Sequence, residues 1–159
     1  ASRVYAIDTA TDLLHPSLRC EKMKDKIIPI MGTDARKLIP IKEKGDLCTV
    51  DVTFTSLKAI LPNAKRILKK EGDIIVLVKP IFEIDFYDKG KFEIIKSSDE
   101  LFQILNDLIQ WSIENQIYPN ALMKSPILGK EGSIEFFIHL KLNESENNLN
   151  YKKMIRSIL

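Results

Sequence analysis

Short apolar runs alternate with stretches of helical periodicity along this chain. Four runs rich in β-branched residues predict strands at residues 4–7, 26–31, 47–50 and 74–78. Pro29 restricts the second run to a sheet edge, because proline lacks the N–H that a central strand must donate. The fourth run is apolar throughout, which is typical of a strand covered on both faces. This alternation predicts an α/β fold with parallel strands.

A first helix is predicted between the third and fourth strands. Apolar residues recur at helical spacing over 57–68, and basic residues follow up to Lys70. Cations suit the end of a helix, and Gly72 should terminate it. Pro62 should bend this helix or move its start, because its ring clashes with the preceding turn.

A second helix begins at a capping box. Ser97 and Glu100 have the spacing of that motif, and the apolar pattern continues to Trp111. The chain that follows predicts two closing strands, at 117–123 and 133–140. Beyond them, residues 143–150 are polar and predict a linker, and residues 151–159 fit a short basic amphipathic helix.

Charged residues follow the carboxyl ends of the predicted strands. They are Asp8, Asp34, Asp51 and Lys79. Ligands bind beyond these ends in open parallel sheets, so the four residues are candidates for a binding site. Asp8 could accept hydrogen bonds from ribose hydroxyls, although a solvated turn aspartate is the simpler interpretation. Asp34 fits a helix cap as well as a ligand contact.

Asp51 and Lys79 are the stronger candidates for a binding site, because each directly follows a strand that should be buried. Charged groups placed together at a sheet edge are costly unless they serve a ligand or pair with each other. A purely structural salt bridge explains the two residues equally well, and their positions alone favour neither interpretation.

Composition restricts the classes of function. The 24 basic and 22 acidic residues leave a net charge of +2, too small to indicate nucleic-acid binding by itself. Cys20 and Cys48 form neither a disulfide framework nor a metal-ligand spacing, and Cys48 should be a buried strand thiol. Charges interrupt every apolar run before a membrane-spanning length, and the N-terminus does not resemble a signal peptide. We therefore expect a soluble cytoplasmic protein that does not act in a membrane.

Four phrases of the sequence resemble one known family in order and spacing. Residues 4–8 (VYAID) resemble VYAVD, residues 51–57 (DVTFTSL) resemble DVSFISL, and residues 78–83 (VKPIFE) resemble VKPQFE. Residues 125–136 (SPILGKEGSIEF) resemble the pattern SPIKG followed by GNIEF. The chain is thereby identified, over about residues 3–141, as similar to the TlyA (haemolysin A) family of FtsJ-like RNA methyltransferases.

The resemblance implies a Rossmann-like sheet and S-adenosylmethionine as the cofactor of cytidine 2′-O-methylation in ribosomal RNA. It assigns Asp51, Lys79 and Glu135 to the last three positions of a Lys-Asp-Lys-Glu catalytic tetrad. Asp8 would hold the cofactor ribose and Asp34 would face the adenine. No metal is required, and ribosomal RNA or ribosomal subunits are the expected partners. The methyltransferase part would cover residues 1–142, with 143–159 as linker and C-terminal helix.

The sequence departs from the family at its beginning. The family's first strand, glycine-rich loop and first tetrad lysine have no counterpart here, and none of the six glycines forms a GxGxxG. We therefore expect an incomplete fragment that binds the cofactor weakly, and tight binding measured by calorimetry would contradict this. In such folds the first strand lies between the strands that end at Asp8 and Asp51. Its absence should leave two unpaired edges, through which copies of the chain could associate.

Smaller departures from the family affect the expected substrate contacts. Ile81 replaces the glutamine of VKPQFE, and residues 88–91 replace a glycine-rich loop. Two alternative functions stay open: a membrane-lytic haemolysin, and a non-catalytic binding module on a methyltransferase scaffold.

Overall fold

The apolar runs form strands in the computed structural model, which describes residues 1–37, 39, 41–84, 94–144 and 150–159. The strands in this described part are β1 (Val4–Asp8), β2 (Ile27–Met31), β3 (Gly45–Val50), β4 (Leu68–Val78), β5 (Tyr118–Lys124) and β6 (Phe136–Lys141). The helices are α1 (Leu57–Arg66), α2 (Ser98–Glu114) and α3 (Tyr151–Ile158). The chain is divided into two units, residues 1–43 and residues 44–159. The predicted α/β class is confirmed.

The first unit contains the parallel pair of β1 and β2. Their register runs from Val4 opposite Ile27 to Asp8 opposite Met31. In the described part of the chain β2 pairs with β1 alone, as expected for a strand that contains Pro29. The two strands therefore place Asp8 and the turn after Met31 at the same edge.

The second unit contains a four-stranded mixed sheet in the order β3-β4-β6-β5. β3 and β4 are parallel, and β6 is antiparallel to both β4 and β5. One face of this sheet forms the core with the helices. Its fully buried side chains are Ile74, Val76 and Val78 on β4, Phe136, Ile138 and Leu140 on β6, Leu61 and Ala64 on α1, and Leu101, Leu105 and Ile109 on α2.

The opposite face of β4 is only partly covered, which corrects the expectation that both faces are buried. Ile75 is 38% exposed, and Leu47 on the neighbouring strand is 55% exposed. The continuous apolar run therefore does not show that both faces are covered here. Among the described residues, β1 and β3 each pair with one neighbouring strand. Association of copies through these edges stays a prediction.

The first helix is shorter than its sequence pattern. α1 continues through Pro62 but ends at Arg66, and residues 68–70 belong to β4 instead. The Ile67 carbonyl accepts a hydrogen bond from Gly45 N at 2.8 Å. Pairing with β3 therefore determines the structure of the residues after Ile67, although their sequence pattern is helical. Gly72 is not a helix terminator, because it lies inside β4. A Cβ there would come within 3.0 Å of the Lys69 carbonyl oxygen, so glycine permits a close backbone approach.

The second helix agrees with its capping signal, because the Ser97 hydroxyl caps it by accepting a hydrogen bond from Glu100 N. The helix α3 packs on α2, where Ile155 is fully buried and Gln110 donates to the Tyr151 hydroxyl at 2.7 Å. The division into residues 1–142 and a tail stays a prediction. The glycine-rich-loop counterpart at 88–91 and most of the predicted linker, 145–149, lie outside the described residues.

The two cysteines should differ in reactivity. Both are free thiols, Cys20 exposed and Cys48 half-buried in β3, where burial raises the pKa of the thiol to about 11. That shift lowers the thiolate fraction about a hundredfold relative to an ordinary thiol. We expect iodoacetamide at pH 8 to modify Cys20 much faster than Cys48, as followed by peptide mass spectrometry. Equal rates would show that Cys48 is accessible and ordinary.

Candidate active site

Asp51 and Lys79 meet directly after two parallel neighbouring strands. β3 ends at Val50 and β4 ends at Val78, and the register places Val50 opposite Val76. Asp51 and Lys79 therefore project to the same side of the sheet. Lys79 Nζ lies 2.6 Å from Asp51 Oδ1, with the lysine side chain 15% exposed and the aspartate 68% exposed. The structure thus brings together the two residues that the strand ends indicated.

Glu135 approaches Lys79 from the other side. The antiparallel register of β4 and β6 pairs Val78 with Phe136, so the next pair outward is Lys79 with Glu135. Glu135 is half-buried, and its carbonyl accepts a hydrogen bond from Ser125 N at 2.9 Å. Between these two described residues there is no ion pair within 4 Å. The Glu135 carboxylate instead lies against Gly129, where an added Cβ would be 2.6 Å from Glu135 Cδ.

Two further contacts join the turns that carry Asp51 and Lys79. We call residues 51–56 and 79–83 the two site turns. The rings of Phe54 and Phe82 lie 5.3 Å apart between centroids, inclined at 54°. Beyond them, Glu83 accepts hydrogen bonds from the Ser56 hydroxyl at 2.6 Å and from Leu57 N at 2.8 Å. Burial raises the pKa of Glu83, although both hydrogen bonds oppose that shift.

Asp8 and Asp34 lie in the first unit, at the carboxyl edge of its parallel pair. Asp8 Oδ1 accepts from Ala10 N at 2.8 Å, and the Asp8 carbonyl accepts from Thr33 N at 2.9 Å. The turns after β1 and β2 are thereby joined, and the Asp8 carboxylate stays exposed. Asp8 and Asp34 belong to the first unit, whereas Asp51, Lys79 and Glu135 belong to the second.

Asp34 is held by its neighbour. Both of its carboxylate oxygens accept hydrogen bonds from the guanidinium of Arg36, at 2.7 to 3.0 Å. This guanidinium lowers the pKa of Asp34 to about 2. Asp34 Oδ1 also accepts from Arg36 N, in the turn geometry of an aspartate cap. No helix begins at Asp34 among the described residues, so the expected helix cap does not form, and Asp34 instead closes a local turn. The contact with a ligand stays a prediction.

The lysines near the end of α1 have partners in the protein. Lys65 Nζ donates to the Asn115 carbonyl at 2.9 Å, at the carboxyl end of α2, where a cation is favourable. Lys69 Nζ pairs with Asp46 at 2.7 Å. A structural role therefore accounts for both lysines. The described residues contain no group of three or more His, Cys, Asp or Glu that could hold a metal ion.

Comparison with known proteins adds independent information. The sequence profile described as FtsJ-like methyltransferase matches residues 1–142. The chain belongs to the FtsJ-like methyltransferase family. YqxC of Bacillus subtilis, provisionally named an rRNA methyltransferase, is 32% identical over 143 residues, which cover 88% of this chain and 50% of YqxC. The 23S rRNA (cytidine-2′-O)-methyltransferase TlyA of Campylobacter jejuni is 33% identical over 146 residues, 87% of this chain and 53% of TlyA.

Solved structures share the fold of this chain. A protein from Streptococcus thermophilus, provisionally named a hemolysin, superimposes with a TM-score of 0.85 at 29% identity. The match covers 99% of this chain and 58% of that protein. An O-methyltransferase from Bacillus cereus in complex with SAH, 13% identical and with a TM-score of 0.57, shares the fold. This chain spans about half the length of the curated relatives that it matches.

Sequence reasoning did not assign three residues of this site. Phe54, Glu83 and Gly129 occur within the family-like phrases, but no role was given to them. Phe54 has a positive φ of 59°, which is uncommon for a bulky residue, and its side chain is 75% exposed, although an apolar side chain is usually buried. The sequence does contain one indication that Phe54 and Phe82 are related, namely their equal spacing from Asp51 and Lys79. Phe54 follows Asp51 by three positions, as Phe82 follows Lys79.

Proposed function

We propose that this chain is the catalytic part of an enzyme that methylates the 2′-hydroxyl of a ribose, on cytidine in ribosomal RNA, with S-adenosylmethionine as donor. The observation that carries the proposal is the Lys79–Asp51 contact at the strand ends, with Glu135 next to Lys79 in the β4–β6 register. The family membership and the activity for which the Campylobacter jejuni relative is named support the same reaction.

Lys79 is placed to take a proton from the ribose. A 2′-hydroxyl is a weak nucleophile and must lose its proton as its oxygen gains the methyl group. A lysine serves as base only when its surroundings bring its pKa towards neutrality, roughly 7–8. A neutral Lys79 amine that donates one N–H to Asp51 keeps its lone pair for the hydroxyl proton. The low exposure of the Lys79 side chain limits competition from water.

Asp51 and Glu135 have supporting roles in this proposal. Asp51 fixes the direction of Nζ, and most of its carboxylate is exposed to solvent. Glu135 sits one strand away, where it can accept a hydrogen bond from the amine or from the ribose. Asp51, which contacts Nζ, would stabilise the positive charge that the amine gains with the proton.

The residues of the first unit fit the nucleoside part of S-adenosylmethionine. When bound, that cofactor supplies an electrophilic methyl group. The exposed Asp8 carboxylate at the end of β1 can accept hydrogen bonds from ribose hydroxyls, the role for which the Rossmann-like fold uses an acid at this position. Asp34 is the weaker part of this assignment, because both of its oxygens already accept from Arg36.

The cytidine ring of the substrate could stack on an aromatic side chain, and Phe54, three positions after Asp51, offers one. Its ring is 75% exposed and rests at 5.3 Å from Phe82. Stacking of a base on an aromatic side chain contributes about 1–3 kcal/mol. We expect Phe54→Ala to raise KM for RNA by the corresponding roughly 5- to 150-fold and Phe54→Tyr to restore it. Filter-binding and initial-rate measurements check this, and equal KM values for all three proteins would exclude the contact.

The reaction itself is tested by label transfer and product analysis. The longest natural form of the protein is incubated with ribosomal subunits and S-adenosylmethionine that carries a labelled methyl group. The RNA is digested to nucleosides, and the labelled product is identified by mass spectrometry. We expect 2′-O-methylcytidine. Label on a base carbon or nitrogen would contradict the chemistry, and RNA binding without any transfer would favour the non-catalytic binding module.

Membrane lysis is the second candidate function, because the Streptococcus thermophilus relative has a hemolysin name. Among the described residues no helix has both the length and the apolar character needed to cross a membrane. The short basic helix α3 packs its Ile155 into the core, and Arg156 stacks over Phe102 at 5.2 Å. The centre of the apolar side of α3 is therefore buried in the protein core. Dye release from lipid vesicles on addition of the purified protein would support membrane lysis as the function.

A further inference from the structure

Glu83, in the site turn after β4, is hydrogen-bonded to the start of α1, the helix that follows the other site turn. Its Oε2 accepts from the Ser56 hydroxyl at 2.6 Å and its Oε1 from Leu57 N at 2.8 Å. Ser56 already caps α1 locally, because its Oγ accepts from Lys58 N at 3.1 Å. Glu83 is therefore a second cap, supplied from 26 positions further along the chain. A carboxylate at this end of a helix is also favoured by the helix dipole.

Both ends of this connection are fixed. Leu57 is 1% exposed and anchors the start of α1 in the core. On the other side, Lys79 and Glu83 are joined by a single 3-10 turn, Pro80–Phe82, in which Phe82 N donates to the Lys79 carbonyl and Glu83 N to the Pro80 carbonyl. Pro80 is buried. A displacement of Glu83 is therefore transmitted to Lys79 through one tight turn.

Three contacts in succession hold the two site turns side by side. Asp51 pairs with Lys79, Phe54 packs against Phe82, and Glu83 closes the far end. The first of these involves an exposed aspartate, and ion pairs with an exposed partner contribute little by themselves. The Glu83 connection is the more enclosed one, because both of its hydrogen bonds are partly buried, whereas the contact of Lys79 with Asp51 is exposed.

We propose that Glu83 is a positioning residue: by holding the turn after β4 on the start of α1, it sets where the Lys79 amine meets Asp51. The geometric part of this proposal is independent of the reaction, and its catalytic meaning rests on the function proposed above. Glu83 does not touch the reacting atoms. Its effect reaches them through the Pro80–Phe82 turn and Lys79.

Three variants separate positioning from general stabilisation. Glu83→Gln keeps the connection, because the amide oxygen accepts from Leu57 N and the amide N–H donates to Ser56 Oγ. Glu83→Ala removes it. Lys65→Met is the matched control, since it loosens the other end of α1 from Asn115 and leaves both site turns unchanged.

The first readout needs no methyl transfer. In the chain labelled with ¹³C-lysine, the Cε–Hε NMR signal of Lys79 is assigned by its loss in Lys79→Arg. We expect Glu83→Ala to move this signal towards those of solvated lysines, and Glu83→Gln and Lys65→Met to leave it in place. Thermal melting is recorded for each variant. If Glu83→Ala does not fold, Ser56→Ala removes one of the two hydrogen bonds and should move the signal in the same direction by a smaller amount.

The second readout is kinetic. In the longest natural form of the protein, Glu83→Ala should lower kcat for methyl transfer by roughly tenfold to a hundredfold, as expected for a misplaced catalytic group, with both KM values within about twofold. Glu83→Gln should restore kcat. An unmoved Lys79 signal in Glu83→Ala, or a change no larger than in Lys65→Met, would overturn the proposal. Absence of transfer by the wild type would refute the proposed reaction alone, because the NMR comparison still decides the positioning.

Discussion

Replacing Lys79 by methionine should lower kcat for methyl transfer by about 10²–10⁴-fold, the usual contribution of a general base. Methionine keeps most of the length and volume of the lysine and removes the amine that contacts Asp51 at 2.6 Å. The substrates are held by other residues, so KM for RNA and for S-adenosylmethionine should change by less than about threefold. Single-turnover rates with labelled S-adenosylmethionine and ribosomal subunits measure the effect.

Lys79→Arg distinguishes a base from an ion-pair partner. An arginine can still pair with Asp51, but its guanidinium does not release a proton in proteins. If Lys79 serves only in a structural salt bridge, the arginine variant should transfer methyl groups almost as well as the wild type. We expect it instead to be nearly as slow as Lys79→Met. Comparable activity of the arginine variant and the wild type would exclude the base assignment.

A loss of fold is not expected to explain the result. Asp51 is 68% exposed, so after the loss of Lys79 its charge remains solvated. We expect the free energy of unfolding to change by no more than about 1 kcal/mol. Lys69→Met is a matched control that also removes a lysine paired with an aspartate, Asp46, at 2.7 Å. It should leave kcat within about twofold of the wild type. Urea unfolding of each variant completes the comparison.

The positions of Asp51 and Lys79 could be predicted from sequence because strand ends are local features. An apolar run followed by a charged residue defines each end, and parallel pairing then brings the two ends to one edge. The structure shows the two side chains in contact at that edge. Glu135 is different, since its place beside Lys79 depends on the antiparallel register between β4 and β6. That register could not be read from either strand, and only the family resemblance indicated Glu135.

The errors in the predicted elements have the same origin. Residues 68–70 continue the helical pattern of α1, but hydrogen bonding between Gly45 and Ile67 commits them to β4. The contact of Glu83 with Ser56 joins residues 27 positions apart and has no local signature. Sequence patterns report which face of an element is apolar. They do not predict which distant segment will form a hydrogen bond with a given group. Such distant hydrogen bonds determine both the start of β4 and the contact of Glu83 with α1.

Gly129→Ala should lower kcat by roughly a hundredfold without unfolding the protein, because it displaces Glu135. Gly129 has an ordinary φ of −74°, so alanine does not strain its backbone. The obstacle is steric: the new Cβ would lie 2.5 Å from Ser133 Oγ and 2.6 Å from Glu135 Cδ. The Glu135 side chain must move by about 1 Å to restore a normal contact, and a displacement of that size in an active site typically costs about 10²-fold.

Gly45→Ala is the control for the loss of a glycine. A Cβ at Gly45 would meet its nearest neighbour, Leu68 Cδ2, at 3.5 Å, an ordinary contact, so kcat should not change. Single-turnover rates and thermal melting of both variants provide the comparison. The combination Gly129→Ala with Glu135→Ala tests the assigned cause, because alanine at position 135 removes the side chain that the new Cβ would displace. If the alanine at position 129 acts by moving Glu135, the double variant should be no slower than Glu135→Ala alone. Multiplied losses would mean that Gly129 affects the reaction by a route that does not involve Glu135.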